Sequence, residues 1–212
     1  MRLGEALGTT FEVFDYRRAD WLLSHVAAEE CADLHAVLSA LVFTDSDLTT
    51  PGGSKSRIVK RLEGAFAHRG WLIDHAFVVK RVISVVGPHG ERYAAREIEA
   101  GTHKIDALRG HVAIEIEWNS KESVFARDLG AFRLLYDEGA IVAGVVITRA
   151  DRHGANSIDV AARGLSTAVG GKYGAGTTHL GRLRSFCANG YAGGCPVLGV
   201  GITTASRRGS NG

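Results

Sequence analysis

The stretch "AIVAGVVIT", Ala140 to Thr148, constrains this chain most. It is short, almost wholly apolar and rich in β-branched residues. That is the pattern of a strand buried on both faces, which needs a layer of structure above and below it. Before it, Ser123–Glu138 sets Phe125, Leu129, Phe132, Leu135 and Tyr136 at helical spacing. Before that, Val112–Trp118 alternates as a strand does. Strand, helix and buried strand predict a crossover unit in an α/β sheet.

The rest of the chain supplies elements for that sheet. Arg18–Val42 reads as one long helix, with Trp21, Leu22, Val26, Leu34, Val37, Leu38 and Leu41 at helical intervals. Pro51, Gly52 and Gly53 interrupt the chain, and a second helix is expected from about Lys55 to His68, stopped by Gly70. "WLIDHAFVVKRVISVVG" reads as one or two strands, "GPHGER" as a turn and Tyr93–Glu99 as a further strand. Residues 149–178 are polar and glycine-rich and read as loops with at most one short element. A helix over about His179–Ala188 and a strand over Pro196–Ile202 close the core. No internal repeat or linker divides the 212 residues. One domain, 1–212, is expected, with an N-terminal helical part (about 18–70), a core (about 71–150) and a C-terminal part (about 151–204).

Composition excludes several classes. The chain is 45% apolar and 23% charged, so it can bury a full core. Net charge is only +2, so nucleic-acid binding must be argued from local clusters. Cys31, Cys187 and Cys195 form no CxxC pair and read as scattered buried thiols, which suits a reducing cytoplasm. Neither a signal-peptide core nor an apolar run of membrane-spanning length is present, so no membrane partner is expected. Gly171-Lys172 lacks the flanking residues of a phosphate-binding P-loop, and no nucleotide cofactor is expected.

The candidate chemistry lies in "HKIDALRGHVAIEIEWNSKES", His103–Ser123. Glu115 and Glu117 are two apart on the strand and point to one face, while Val112, Ile114, Ile116 and Trp118 point to the other. Two carboxylates side by side repel unless a cation lies between them, and hard oxygen ligands suit magnesium. Asp106, nine residues before Glu115, can join them from a neighbouring strand. The competing reading is a half-exposed edge strand whose glutamates face water.

These acids, in the segment "KIDALRGHVAIEIEWNSKESVFARDLGAFRLL", resemble the PD-(D/E)xK nuclease signature. The match is closest to the BglII/BstYI branch of type II restriction endonucleases, of which BamHI is a structural relative. "TTPGGSKSRIVKRLEGAFAHRGW" upstream and "TTHLGRL" and "GGCPVLGVGI" downstream support the likeness. It implies a restriction-endonuclease-like core, a central mixed β-sheet flanked by helices. It implies a Mg2+-dependent endonuclease (with Mn2+ able to substitute) that cuts double-stranded DNA to 5′-phosphate and 3′-hydroxyl ends, working as a homodimer. Asp106, Glu115 and Glu117 would be both catalytic residues and metal ligands. Glu117 stands where the family usually has lysine, which leaves the general base open. Glu97 and Glu99, with Glu91 weaker, are candidates for an accessory acid. A repair or junction nuclease, or a DNA-binding module with structural acids, are the alternatives.

Candidate DNA contacts are grouped at four places. Lys55, Ser56 and Arg57 open a helix, where free backbone N–H groups favour phosphate, although Ser54 as an ordinary cap explains the pattern equally. Asn119, Ser120 and Lys121 follow the acidic strand and can read bases or cap the next helix. Arg149, Asp151 and Arg152 leave the buried strand and form a candidate recognition loop. Lys172, Thr178 and His179 lie in a glycine-rich stretch before a helix.

Overall fold

The computed structural model describes residues 2–8, 10–50, 55–154, 156–165 and 171–208. Pro51, Gly52, Gly53, Ser54 and Gly170 lie outside them. Six strands form one sheet: β1 (Phe11–Tyr16), β2 (Leu72–Val86), β3 (Arg92–Arg109), β4 (Val112–Glu117), β5 (Ala143–Arg149) and β6 (Val197–Ile202). Their order is β1-β6-β5-β4-β3-β2. β4, β5 and β6 run parallel, and β1, β2 and β3 each join their neighbours antiparallel. The sheet is mixed and flanked by helices, the architecture of a PD-(D/E)xK-like core.

The helices are α1 (Leu3–Leu7), α2 (Ala19–Val26), α3 (Ala28–Ser39), α4 (Asp45–Thr49), α5 (Arg57–Ala67), α6 (Val124–Asp137), α7 (Ile158–Leu165) and α8 (Leu180–Ala188). One layer packs Leu23, Leu34, Leu38, Leu62 and Phe66 against Val112, Ile114, Ile116, Val145 and Ile147. The opposite layer packs Phe125, Leu129, Phe132 and Leu183 against Ala113, Val146 and Val197. The alternation of Val145, Val146 and Ile147 between the two layers is the period of a strand buried on both faces. Gly144 admits the closest of these contacts, because a Cβ there would lie 2.2 Å from the Phe132 ring.

Three elements differ from the sequence expectation, and α7 is a short element of the kind it allowed. The long helix is two, broken at buried Ala27 (φ −124°, ψ 53°). The break re-phases the apolar stripe: Leu23, Leu34 and Leu38 are buried, while Trp21 and Val26 face solvent. β1 comes from "FEVFDY", a short alternation now paired along its length with β6. α7 arises within the polar stretch, burying Ile158 and Ala162. β3 is one 18-residue strand that continues through Gly101 rather than a short one at 93–99. It forms with β2 a long hairpin, of which only Ala107–Arg109 meets β4. The distal hairpin leaves Val82, Ile83, Val85, Val86 and Tyr93 exposed. The three cysteines are free and buried. No described helix is long and apolar enough to cross a membrane.

Candidate active site

The site forms where β3 and β4 part. Their ladder ends at Ala107–Ile114. Beyond it, the Ile116 N–H donates to Asp106 Oδ2 at 2.8 Å, so a carboxylate takes the bond a third strand partner would have made. Asp74, with φ 62°, lies between the β2–β3 pairs Ile73–Ala107 and His75–Ile105, beside this junction. Glu115 and Glu117 sit opposite Val146 and Thr148 of β5, on an interior strand buried on both faces. The half-exposed edge-strand reading is therefore excluded. Glu115 is 2% exposed.

The end of β4 is braced from two sides. Thr148 Oγ1 and Thr178 Oγ1 both donate to the Glu117 carbonyl, at 2.6 and 3.0 Å. Arg149 Nε donates to the Trp118 carbonyl at 3.0 Å, and Nη2 donates to the Thr178 carbonyl at 2.8 Å. Its Nη1 pairs with Asp159, and the guanidinium lies over the Tyr173 ring. Burial lowers the Arg149 pKa to about 10.

Two further ligand-type side chains, not singled out from the sequence, complete the acids. Asp128 of α6 is fully buried, and His103 lies three residues before Asp106 on β3. Ligand atoms of His103, Glu115 and Asp128 lie within 4.8 Å of one another. Burial, then the charges of Asp106 and Glu117, push the Glu115 pKa up to about 9. Burial, then Glu115 and Glu117, push Asp128 up to about 8. Glu117 is also raised, chiefly by burial. His103 is lowered by burial and by Arg127, which favours a neutral imidazole able to act as a ligand. Among the described residues, His103 Nε2, Glu115 Oε1 and Asp128 Oδ2 are buried without a hydrogen-bond partner. Buried carboxylates with raised proton affinity and lone pairs that accept no hydrogen bond fit a divalent cation. A His at i−3 of the first acid and an acid on the inner face of the following helix were the available signals.

A cleft of about 320 Å³ opens beside the acids. Asp106 and Glu117 line its floor, Lys55 and Lys172 supply positive charge, and Ser56, Asn119 and Ser120 supply polar groups. Lys55 Nζ stands 3.6 Å from Asp74 and also pairs with Glu63. Lys172 Nζ donates to the Thr50 carbonyl. The apolar walls are Val59, Ile116 and Trp118.

The family model described as restriction endonuclease BglII/BglIII matches residues 11–202. The chain belongs to that family. No curated protein matches it. In this BglII/BglIII-family chain, the PD-(D/E)xK-like nuclease fold and a buried His/Glu/Asp cluster suited to a divalent ion are consistent with a metal-dependent nuclease acting on DNA.

The remaining expected residues fall in different places. Asp106, Glu115 and Glu117 come together, with Lys55, Ser56, Asn119, Ser120 and Lys172 around the adjoining cleft. Ser56, rather than Ser54, caps α5, accepting from the Val59 N–H at 3.2 Å. Arg57 is exposed and donates to Ser46 Oγ. Lys121 is exposed, its backbone bridged to Thr177. Arg149 and Thr178 are fully buried braces and do not reach solvent as a recognition loop would. His179 is buried at the start of α8, its pKa lowered to about 4 by burial and by Arg149. Asp151 accepts from the His153 N–H, and Arg152 lies 3.9 Å from Asp159. Glu97 and Glu99 are exposed on the distal hairpin, and Glu97 pairs with Lys80 at 2.8 Å. Seven residues of strand put Glu99 roughly 23 Å from Asp106, so neither joins the site as an accessory acid.

Proposed function

We propose that this protein is a Mg2+-dependent, sequence-specific endonuclease of type II restriction character that cuts both strands of duplex DNA. The observation that carries the reading is the cleft itself. Acids able to hold a hard cation form its floor, and two lysines and three small polar side chains form its rim. A phosphodiester needs both, because its charge must be held while one P–O bond is broken.

Asp106, Glu115 and Glu117 would hold Mg2+ at the open end of β4. The chemistry that bound Mg2+ supplies is neutralisation of phosphate charge and acidification of a water. Lys55 and Lys172 orient the phosphate by charge. Asn119 Oδ1, buried and without a partner among the described residues, offers an acceptor to a base or sugar. Glu117, which lines the cleft and whose pKa burial raises, would take a proton from the attacking water. The products are 5′-phosphate and 3′-hydroxyl ends. One site cuts one strand, so a symmetric target calls for a homodimer.

The test is incubation of the purified protein with unmodified phage DNA, with and without Mg2+. Discrete, reproducible bands that require the metal are expected, and Asp106→Asn should abolish them while DNA binding persists. A smear would point to a non-specific or structure-specific nuclease. Unchanged cleavage by Asp106→Asn would remove these acids from the mechanism.

A further inference from the structure

Glu115 belongs to two sets of ligands. On the cleft side it stands with Asp106 and Glu117. It also meets His103 from β3 and Asp128 from α6, neither of which lines the cleft. Two of the three are dry: Glu115 and Asp128 are 2% and 0% exposed, and the His103 side chain is 16% exposed. Arg127 donates to Asp128 Oδ1 at 3.0 Å, leaving Oδ2 without a partner among the described residues. His103 Nε2 is 3.5 Å from Glu115 Oε1 and 3.9 Å from Asp128 Oδ1. Such separations are too long for good hydrogen bonds. Ligand atoms held ~2.1 Å from a tetrahedral ion lie roughly 3.4 Å apart; the His103–Glu115 separation is close to that, and all three ligand atoms lie within 4.8 Å of one another.

We propose that His103, Glu115 and Asp128 form a second divalent-cation site, separate from the cleft, that takes a first-row transition ion such as Mn2+, Co2+ or Zn2+ in preference to Mg2+. Imidazole is a borderline ligand that suits these ions, whereas Mg2+ favours oxygen and keeps several waters. Three side chains from two strands and a helix converge there, and a dry pocket leaves little room for a retained hydration shell. The shared Glu115 couples this site to the Mg2+ position proposed above, so the inference rests on that reading only for the coupling.

The test uses tag-free, metal-free protein without DNA. Mn2+ is titrated calorimetrically, and pulsed electron paramagnetic resonance detects nitrogen-14 coupling to the bound ion. Wild-type protein is expected to bind one ion with an imidazole coupling that excess Mg2+ does not displace. His103→Ala should remove the coupling and weaken that ion by more than the roughly 10–100-fold that loss of an outer-shell partner costs. His103 is at the margin of the pocket, so this variant should fold, and circular dichroism would check it. Asp106→Asn should keep the coupling. Absence of nitrogen coupling in wild-type protein, or its survival in His103→Ala, would overturn the site. Intact phage DNA together with a nitrogen-coordinated Mn2+ would reject the nuclease reading and leave this site standing.

Discussion

Two buried groups of charge lie at neighbouring strand ends, and the fold treats them oppositely. At the end of β5, Arg149 and Asp159 are both 0% exposed and paired, and the guanidinium also meets two carbonyls and the Thr177 hydroxyl. Around the end of β4, Glu115, Glu117 and Asp128 of α6 are buried, and among the described residues the arginine beside them, Arg127, is largely exposed. The first group has its charge balanced within the chain, with Asp159 Oδ2 left 3.9 Å from Arg152 Nε. The second is complete only with a ligand or with added protons. Buried charge paired with an opposite charge fixes structure, and buried like charges left together mark function.

The comparison breaks most visibly at Arg149. Replacing it with Met leaves buried Asp159 with Arg152 alone, 3.9 Å away, and removes the Arg149 donors to the Trp118 and Thr178 carbonyls. A loss of about 3–5 kcal/mol is expected, seen in thermal denaturation as a fall on the order of 10 °C. Cleavage would fail with the fold, because the same guanidinium braces the end of β4. Normal stability with a changed DNA sequence preference would instead make Arg149 a base reader.

The acids should respond to pH in the opposite sense from an ordinary ion pair. Glu115 holds its proton up to about 9 and Asp128 up to about 8, against ordinary values of 4.5 and 3.8. Between these limits the folded chain binds more protons than the unfolded chain. Their contribution to stability is therefore full below the ordinary values and is lost as pH rises through 8 and 9. Without metal, the melting temperature should fall from mildly acid to alkaline pH. Glu115→Gln, or a saturating divalent cation, should flatten that slope. A melting temperature that rises over the same range would show the acids to be ionised and internally compensated.

The sequence made the β4 acids and the parallel core legible because both follow from short-range periodicity. "AIVAGVVIT" could only be an interior strand, and Glu115 and Glu117 had to share a face. Asp128 was hidden by the same logic: in the α6 pattern it reads as one more polar position beside Arg127, and its burial depends on how α6 lies on β4. Arg149 misled for a related reason. An arginine leaving a strand toward a polar stretch resembles a surface group until α7, a short helix inside that stretch, folds Asp159 beneath it. The break at Ala27 had no glycine or proline to announce it.

Arg127 sharpens the comparison with a smaller effect. It lies 3.8 Å from Glu117 and donates to Asp128, and it lowers the proton affinity of Glu115, Glu117 and Asp128. Arg127→Ala should therefore raise that affinity, discounted because the side chain is 60% exposed. Metal binding at pH 8 to 9, where the acids are partly ionised, should then release a larger fraction of a proton per ion, read by calorimetry in buffers of different ionisation enthalpy. Unchanged release would mean that solvent already screens Arg127 from the acids.

The smallest effect belongs to the far end of β3. Glu97 and Glu99 are acids two apart on a strand, as Glu115 and Glu117 are, and only their surroundings differ. Glu97 and its partner Lys80 are each 57% exposed, so water solvates both ions whether or not they pair. Glu97→Gln and Glu99→Gln should each change stability by less than about 0.5 kcal/mol and leave metal binding as it was. Mn2+ titration of the double variant checks this. A weakened ion would place the distal hairpin against an acid site, which one chain alone does not do, and so would require a second copy to bring it there.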